Sequence, residues 1–114
     1  MSQLISRLTA TILSAASLSD ALNINGRQVT VIEMPASWTI APITFQGSMD
    51  GSNYFNIYDN TGDEVYVIVD VSRRVPVDIP FLSQHKYIKL RSGTSVAPVA
   101  QGAGRTIYVE VWSS

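Results

Sequence analysis

The sequence predicts an all-β protein, built as an antiparallel β-sandwich of about eight strands with a jelly-roll-like arrangement. Apolar and polar residues alternate over several short segments, which is the period of a strand with one buried face. Turn-forming residues recur at intervals of roughly 8–14 residues, and no long segment has the period of an amphipathic helix. Parallel α/β architectures need helical crossovers, so an antiparallel sandwich or jelly roll is favoured.

The clearest element is a hairpin over residues 43–59. Two alternating segments flank the turn Asp50-Gly-Ser-Asn53, and aromatic residues begin the second segment. Alternation on both sides of a turn rich in Gly and Asn is a strong short-range signal for paired antiparallel strands.

A first strand and a second hairpin are predicted ahead of it. Residues 8–13 alternate apolar side chains with threonine, whose β-branching favours a strand over a helix. Residues 21–24 and 28–34 flank Asn25-Gly26, a dipeptide that suits the positive φ angles of a type I′ turn. We therefore expect these two segments to pair with each other.

The rest of the chain alternates between strands and loops. Pro35 and Pro42 bracket a predicted loop, because proline cannot donate to a strand ladder. The later predicted elements are a buried strand over 64–70, an edge or extended segment over 75–80, an alternating strand over 86–92, a long loop over 93–104 and a terminal strand over 105–112.

The alternation within residues 86–92 also predicts which side chains are buried. Either Tyr87 or its neighbours Ile88 and Leu90 should face inward. Lys89 and Arg91 should face outward.

Composition indicates a single domain, residues 1–114, with residues 1–7 as a candidate N-terminal arm. The charged fraction of 15% is below the average of roughly 25% for soluble domains, which suggests that part of the surface rests against a partner. The 8 basic and 9 acidic residues form no runs, so nothing indicates binding to nucleic acid or to an anionic membrane. There is no cysteine, which excludes disulfides and thiolate metal sites. Neither a secretory signal nor a membrane span is apparent, and we expect assembly in the cytoplasm.

Residues suited to catalysis or metal binding are few, and we predict no catalytic, cofactor-binding or metal site. His85 is the only histidine and lacks partners at ligand or triad spacing, so it is interpreted as a turn or surface residue. Asp59, Asp63 and Glu64 cluster around a turn. They are either oxygen ligands for calcium or turn formers, with Asp59 and Asn60 accepting local backbone hydrogen bonds.

The aromatic residues leave a carbohydrate-binding surface open as a hypothesis. Trp38 lies in a predicted loop, Tyr54 lies beside a turn, and Tyr58 or Tyr108 would face outward. Sugar rings stack on flat apolar faces, and the jelly roll is a lectin architecture. The other interpretation is that these side chains plug the ends of the sandwich or form an oligomer interface.

The loop over residues 93–104 is long and made of small and apolar residues. Loops of about 12 residues without regular structure inside a compact domain are usually functional or disordered. The loop either docks onto a neighbouring molecule or folds over one end of its own sandwich, and both hypotheses stay open.

Several stretches in this order carry a family resemblance. They include residues 10–19, Val31-Ile-Glu-Met-Pro-Ala-Ser-Trp38, Ile43-Thr-Phe-Gln-Gly-Ser-Met-Asp-Gly51, Tyr58-Asp and Tyr87-Ile-Lys-Leu-Arg-Ser-Gly93 with the small-residue loop that follows. From about Leu8 to Trp112 the pattern resembles a family of short proteins encoded among the virion genes of tailed bacteriophages. Proteins of this kind are jelly-roll decoration proteins, also called cement proteins, of the outer face of an icosahedral head. Residues 44–54 separately resemble a hairpin of discoidin-type carbohydrate-binding sandwiches.

The resemblance implies a non-enzymatic virion protein on the capsid surface that stabilises the head. It implies the major capsid protein as partner and association into a homo-oligomer, with a trimer matching the threefold positions between capsomers. The family pattern implies no catalytic residues. The alternative function is a carbohydrate-binding or adhesion module, since related sandwiches serve as head-fibre, spike and tail components.

The candidate interface consists of apolar residues in the loops and the arm. These are Leu4, Ile5, Trp38, Val96, Ala97, Pro98 and Val99.

Overall fold

The computed structural model describes residues 4–113, which form nine β-strands and one short 3₁₀ helix. The strands are β1 Leu4–Ile12, β2 Leu22–Asn23, β3 Gln28–Glu33, β4 Ile43–Ser48, β5 Phe55–Asn56, β6 Tyr66–Val67, β7 Arg74–Pro76, β8 Tyr87–Ser92 and β9 Arg105–Ser113. The 3₁₀ helix spans Pro80–Gln84, between β7 and β8. Within residues 4–113, no helix is long and apolar enough to cross a membrane.

The strands form two antiparallel sheets in a jelly-roll order. The first sheet has the order β1-β9-β3-β7, and the second has the order β2-β8-β4-β5 with β6 also on β4. Because β5 and β6 pair with successive parts of β4, they act as one interrupted strand. Counted in this way, the first strand pairs with the last and each inner strand pairs with its counterpart from the other end of the chain. The predicted all-β sandwich with a jelly-roll-like arrangement is therefore confirmed.

The core lies between the inner faces of the two sheets. Alternate residues of β9, namely Ile107, Val109 and Val111, are fully buried there and face Phe45 and the other inward side chains of the second sheet. Removing a side chain of this size from water stabilises the fold by about 1.5–3 kcal/mol. The alternation that predicted the strands is thus also what holds the sheets together.

The predicted hairpin around Asn25-Gly26 is wrong, although the turn itself is correct. Asn25 and Gly26 have φ angles of 49° and 79°, and the Arg27 N–H donates to the Ile24 carbonyl at 2.8 Å. However, β2 pairs with β8 in the second sheet, and β3 pairs with β9 and β7 in the first. The turn therefore carries the chain from one sheet to the other.

The expectation of an N-terminal arm over residues 1–7 is wrong for residues 4–7. Residues 1–3 lie outside the described residues. Residues 4–7 begin β1, which pairs with β9 along its whole length, from Leu4 opposite Ser113 to Ile12 opposite Arg105. The period-2 pattern of residues 8–13 thus marked only part of a longer strand.

Most other predicted elements are present with altered lengths. The 43–59 hairpin forms, with β5 paired to β4. In the predicted strand 64–70 only Tyr66–Val67 pairs regularly, but Val65, Val67 and Val69 all point into the core. The proline-containing segment forms the edge strand β7, as expected.

Candidate interaction surface

Four loops cover one end of the sandwich, which we call the loop end: residues 13–21, 34–42, 68–73 and 93–104. They meet because β1 and β8 end where β9 and β4 begin, as the pairing of Ile12 with Arg105 and of Ile43 with Ser92 requires. The sheet register therefore brings together segments that are far apart in sequence.

Gln101 joins three of these loops. Its side chain is buried, at 1% exposure, and its Oε1 accepts hydrogen bonds from the Thr39 N–H at 2.8 Å and from Arg105 Nε at 2.9 Å. Its Nε2 donates to the Thr39 carbonyl at 3.0 Å and to Ser92 Oγ at 2.7 Å. Its backbone N–H and carbonyl bond to Ala16 and Ala15 of the first loop. A buried amide whose donor and acceptor groups are all hydrogen-bonded makes the loops that it joins rigid.

A buried ion pair holds the first half of the long loop. Arg91 lies on the outer face of the second sheet, as its position in the alternation predicted, but it is buried there rather than exposed. Its guanidinium lies 3.3 Å from Glu64 Oε2 and donates to Asn56 Oδ1 at 2.6 Å. Glu64 Oε1 in turn accepts the Ser95 N–H at 3.0 Å. The charges are paired and hydrogen-bonded, so the loop is anchored to the sheet.

Residues 94–97 form a tight turn at the tip of this loop. The Thr94 N–H donates to the Ala97 carbonyl at 3.2 Å, and Thr94 Oγ1 accepts the Ala97 N–H at 3.0 Å. Gly93 has a φ of 90°, and a Cβ at this position would lie 2.5 Å from the Ala97 carbonyl oxygen, so only glycine fits. The turn leaves Val96 93% exposed.

Each loop of the loop end exposes one large aliphatic side chain: Leu13, Ile40, Ile68 and Val96. Single exposed apolar residues are common on protein surfaces, but one from every loop of a hydrogen-bonded end is suited to contact with another macromolecule. Because the loops are already ordered, binding loses little conformational entropy.

The structure divides the residues predicted for the interface into three groups. Val96, Ala97 and Pro98 are exposed at the tip, and Val99 beside them is half-buried. Trp38 is 7% exposed, and its Nε1 donates to the Ala41 carbonyl at 3.2 Å, so it belongs to the core beneath the loop end. The expectation of an exposed Trp38 is wrong, because residues 36–41 fold back over the indole.

Leu4 and Ile5 are exposed but lie at the opposite end of β1. The strand rise of about 3.3 Å per residue separates Leu4 from Ile12 by roughly 26 Å. Leu4 and Ile5 therefore belong to a different surface from Val96.

Sequence reasoning did not identify Leu13, Ile40 and Ile68 as surface residues. Each is a large aliphatic residue in or beside a connection between strands, and that pattern was the available signal. The role of Gln101 had no local signal, because its partners at Thr39 and Ser92 are brought close only by the fold.

A second concave surface lies away from the loop end, between β5 and the 3₁₀ helix. This groove has a volume of about 660 Å³, and its lining includes Met49, Phe55, Tyr58, Phe81 and His85. Phe55 is 72% exposed within it.

Trp38 and Tyr54, two of the residues that the carbohydrate hypothesis relied on, are not displayed for stacking. Trp38 is in the core. Tyr54 is half-buried, its hydroxyl has no hydrogen-bond partner among residues 4–113, and the Lys89 ammonium lies 4.3 Å from the centre of its ring. Burial, with the nearby Tyr87 and Asp50, raises the pKa of Tyr54.

His85 follows the 3₁₀ helix, with Nδ1 3.1 Å from the Leu82 carbonyl oxygen. Its ring packs on the backbone of Gly47, where a Cβ would approach His85 Cδ2 to 2.3 Å. The turn interpretation of this histidine agrees with these contacts.

Turn contacts at Asp59 and an ion pair at Glu64 account for the acidic cluster of residues 59–64. Asp59 Oδ1 accepts hydrogen bonds from the backbone N–H groups of Thr61 and Asp63 at 2.9 and 3.0 Å, as turn chemistry predicts. The Thr61 hydroxyl contributes most to lowering the pKa of Asp59. Glu64 is paired with Arg91. Among residues 4–113, no group of three His, Cys, Asp or Glu side chains is placed to hold a metal ion.

The outer face of the first sheet carries a network of charges. Arg74 donates two hydrogen bonds to Glu110, at 2.7 and 2.8 Å, and one to Glu33 at 2.8 Å. Arg7 pairs with Glu33, and its guanidinium carbon lies 3.7 Å from the centre of the Tyr108 ring. Hydrogen bonding to Arg74 lowers the pKa of Glu110. Two arginines and two glutamates therefore balance one another's charge on this face.

Fold and surface together define a small jelly-roll domain with a rigid apolar loop end. No protein-family model matches the chain, and no curated protein matches it. Among solved structures, the SPBc2 prophage-derived protein YomS has a similar fold. The two share 14% sequence identity over 96% of each chain, with a TM-score of 0.54. At this identity the likeness shows a common fold.

Proposed function

We propose that this chain is a phage-related structural protein that binds the outer capsid surface as a decoration or cement protein. The observation that carries the proposal is the loop end, where the polar network around Gln101 joins three of the four loops and each of the four loops exposes one aliphatic side chain. The fold shared with a prophage-derived protein supports a phage origin. The sequence resemblance to virion proteins points the same way. On this proposal the protein is not an enzyme, its partner is the major capsid protein and it resides in the virion.

The proposed mechanism is stabilisation by many weak contacts. A ligand that binds only the assembled lattice shifts the equilibrium towards assembly, even when each interface is modest. Copies that touch two capsid subunits gain further through effective concentration. A small apolar patch that is already ordered is sufficient for this role.

Val96→Asp tests the proposal. Val96 is almost fully exposed, so a carboxylate there leaves the fold unchanged but must lose its hydration when the tip is buried in an interface. We expect affinity for purified capsids of the encoding phage to fall by about 30-fold or more, equivalent to ~2 kcal/mol. Co-sedimentation with capsids at increasing protein concentration measures this.

Met49→Asp is the matched control. Met49 is an exposed apolar residue in the turn after β4, at the opposite end of the molecule. It receives the same substitution and should bind as wild type does. Equal binding by folded Val96→Asp would remove the loop end from the interface, and a wild-type protein that does not sediment with capsids would contradict capsid decoration itself.

A carbohydrate-binding or adhesion module remains the second candidate, and the groove beside Phe55 favours it. Exposed Phe55 and Tyr58 lie there with the amide side chains of Asn53 and Asn56, a combination suited to stacking against and hydrogen bonding with a sugar. Binding on a glycan array that Phe55→Ala abolishes would support this function. Indifference to glycans alongside capsid binding would support decoration.

A further inference from the structure

The first sheet ends in a long outer strand. β1 has nine residues, whereas β7, at the other edge of the sheet, has three and includes Pro76. Long edge strands offer unpaired backbone groups to another strand, and most proteins shorten, bulge or charge them to prevent this. β1 is therefore a long edge strand that lacks the short length and the proline of β7, and it is open to pairing with another strand.

The direction of the backbone groups of β1 follows from its contact with Asp20. The Thr11 N–H donates to Asp20 Oδ1 at 2.9 Å, and the Thr11 carbonyl accepts the Asp20 N–H at 3.2 Å, so both groups of Thr11 point away from β9. Because the pattern repeats every two residues, the backbone groups of Ile5, Arg7 and Thr9 also point away from β9. Within residues 4–113, no loop or side chain bonds to them. Asp20 thus covers one end of this edge and leaves the rest open.

The side chains along the open part do not guard it. Ile5 is 73% exposed and Leu4 is 65% exposed. Arg7 is the charged residue on this segment, but Glu33 and the Tyr108 ring hold its guanidinium over the face of the sheet. A charge that is paired and held over the face of the sheet guards the edge less than a free charge pointing outward does.

We propose that β1 pairs with β1 of a second copy of this chain, antiparallel, across a twofold axis at Ser6. This register places Ile5 opposite Arg7 of the second copy, and each such pair exchanges both of its outward backbone hydrogen bonds. It also places exposed Leu4 opposite half-buried Leu8 of the second copy, so that the two leucines pack against each other. The register centred on Arg7 would instead set two arginines against each other, which is destabilising.

The dimer would present two loop ends facing in opposite directions. Ile12 lies six residues from Ser6, so the two Ile12 residues are roughly 40 Å apart at a rise of about 3.3 Å per residue. The pairing itself does not depend on the proposed function. It differs from the trimer implied by the sequence resemblance, in which a threefold axis would relate the copies.

Ser6→Cys tests the register. Directly opposed residues that do not exchange hydrogen bonds have Cα atoms about 4.5 Å apart, which is within the range for a disulfide. Since the chain has no cysteine, the variant carries a single thiol. We expect a covalent dimer after mild oxidation, read by intact mass and a non-reducing gel.

Thr9→Cys is the matched control, because its two copies would lie roughly 20 Å apart. Cross-linking of Ser6→Cys no faster than of Thr9→Cys would overturn the proposed register.

Ile5→Pro tests the edge. Proline removes an N–H that points away from β9, so the β1–β9 ladder is kept while the outer pairing is lost. We expect wild type and Ile5→Val to show a concentration-dependent dimer by light scattering, and Ile5→Pro to be monomeric with a circular dichroism spectrum like that of wild type. A wild type that stays monomeric at all concentrations, or forms trimers, would overturn the proposal. Capsid binding through Val96 is measured separately, so either idea can fail alone.

Discussion

At the scale of single residues, the buried Gln101 joins three loops of the loop end through its side chain and backbone. Gln101→Leu is close in volume but leaves the Thr39 backbone groups and Ser92 Oγ without their partner. Buried groups left unpaired cost about 1–3 kcal/mol each, so we expect the free energy of unfolding to fall by about 2–4 kcal/mol. Urea denaturation measures this. Gln84→Leu makes the same change at an exposed site and should stay within about 0.5 kcal/mol of wild type.

Gln101→Leu should also weaken capsid binding, because a loosened loop end loses the ordering that Val96 depends on. A variant as stable as wild type would show that the loops are held by packing alone.

The burial of Arg91 and Trp38 could not be predicted from the sequence. Arg91 was correctly placed on the outer face of its strand, but its burial depends on Glu64, 27 residues away, and on Asn56. Trp38 was correctly placed in a loop, but that loop folds back over it. The alternation predicts which face of the sheet a side chain lies on. The exposure of that side chain depends on which other segments of the chain cover that face.

At the scale of elements, turns were predicted better than pairings. Asn25-Gly26 adopts the expected positive φ angles, yet the strands on either side join different sheets. Turn geometry is set by the two residues themselves, but strand pairing is set by contacts such as those of β2 with β8, more than 60 residues apart in sequence. The 43–59 hairpin forms as predicted, although its second strand is only Phe55–Asn56, because its turn and its pairing are both local.

The turn of that hairpin makes stability depend on pH. The N–H groups of Asn53 and Ser52 donate to Asp50 Oδ1 and hold the pKa of this carboxyl well below its usual range. A group whose pKa is lower in the folded state contributes stability above its unfolded pKa of about 3.9, and that contribution is lost as pH falls through the folded value.

Asp50→Asn keeps an oxygen that accepts the two N–H groups but cannot ionise. We expect wild type to melt at a higher temperature than the variant at pH 7, and the difference to shrink as pH falls below about 4. Calorimetry from pH 7 to pH 2 measures both. A difference that is constant over this range would mean that the charge of Asp50 does not stabilise the turn.

At the scale of the whole molecule, the capsid proposal predicts how many copies a particle holds. Binding to a repeated seam of the lattice predicts a ratio near one copy per major capsid protein, measured by quantitative mass spectrometry of purified particles. Between a few and some dozens of copies per particle would place the chain in a spike, fibre or tail. Its absence from particles would contradict a virion role.

The pairing of β1 with β9 has a mechanical consequence. Leu4 lies directly opposite Ser113, so the two ends of the described chain leave the domain side by side. A force that pulls these ends apart loads the hydrogen bonds between β1 and β9 one pair at a time, as in opening a zipper, because those bonds run perpendicular to the strands. Tension entering through the loop end instead acts along the strands and loads many bonds at once. We therefore expect the domain to unfold at a low force when it is pulled by these two ends. It should unfold at a higher force when it is pulled through the loop end.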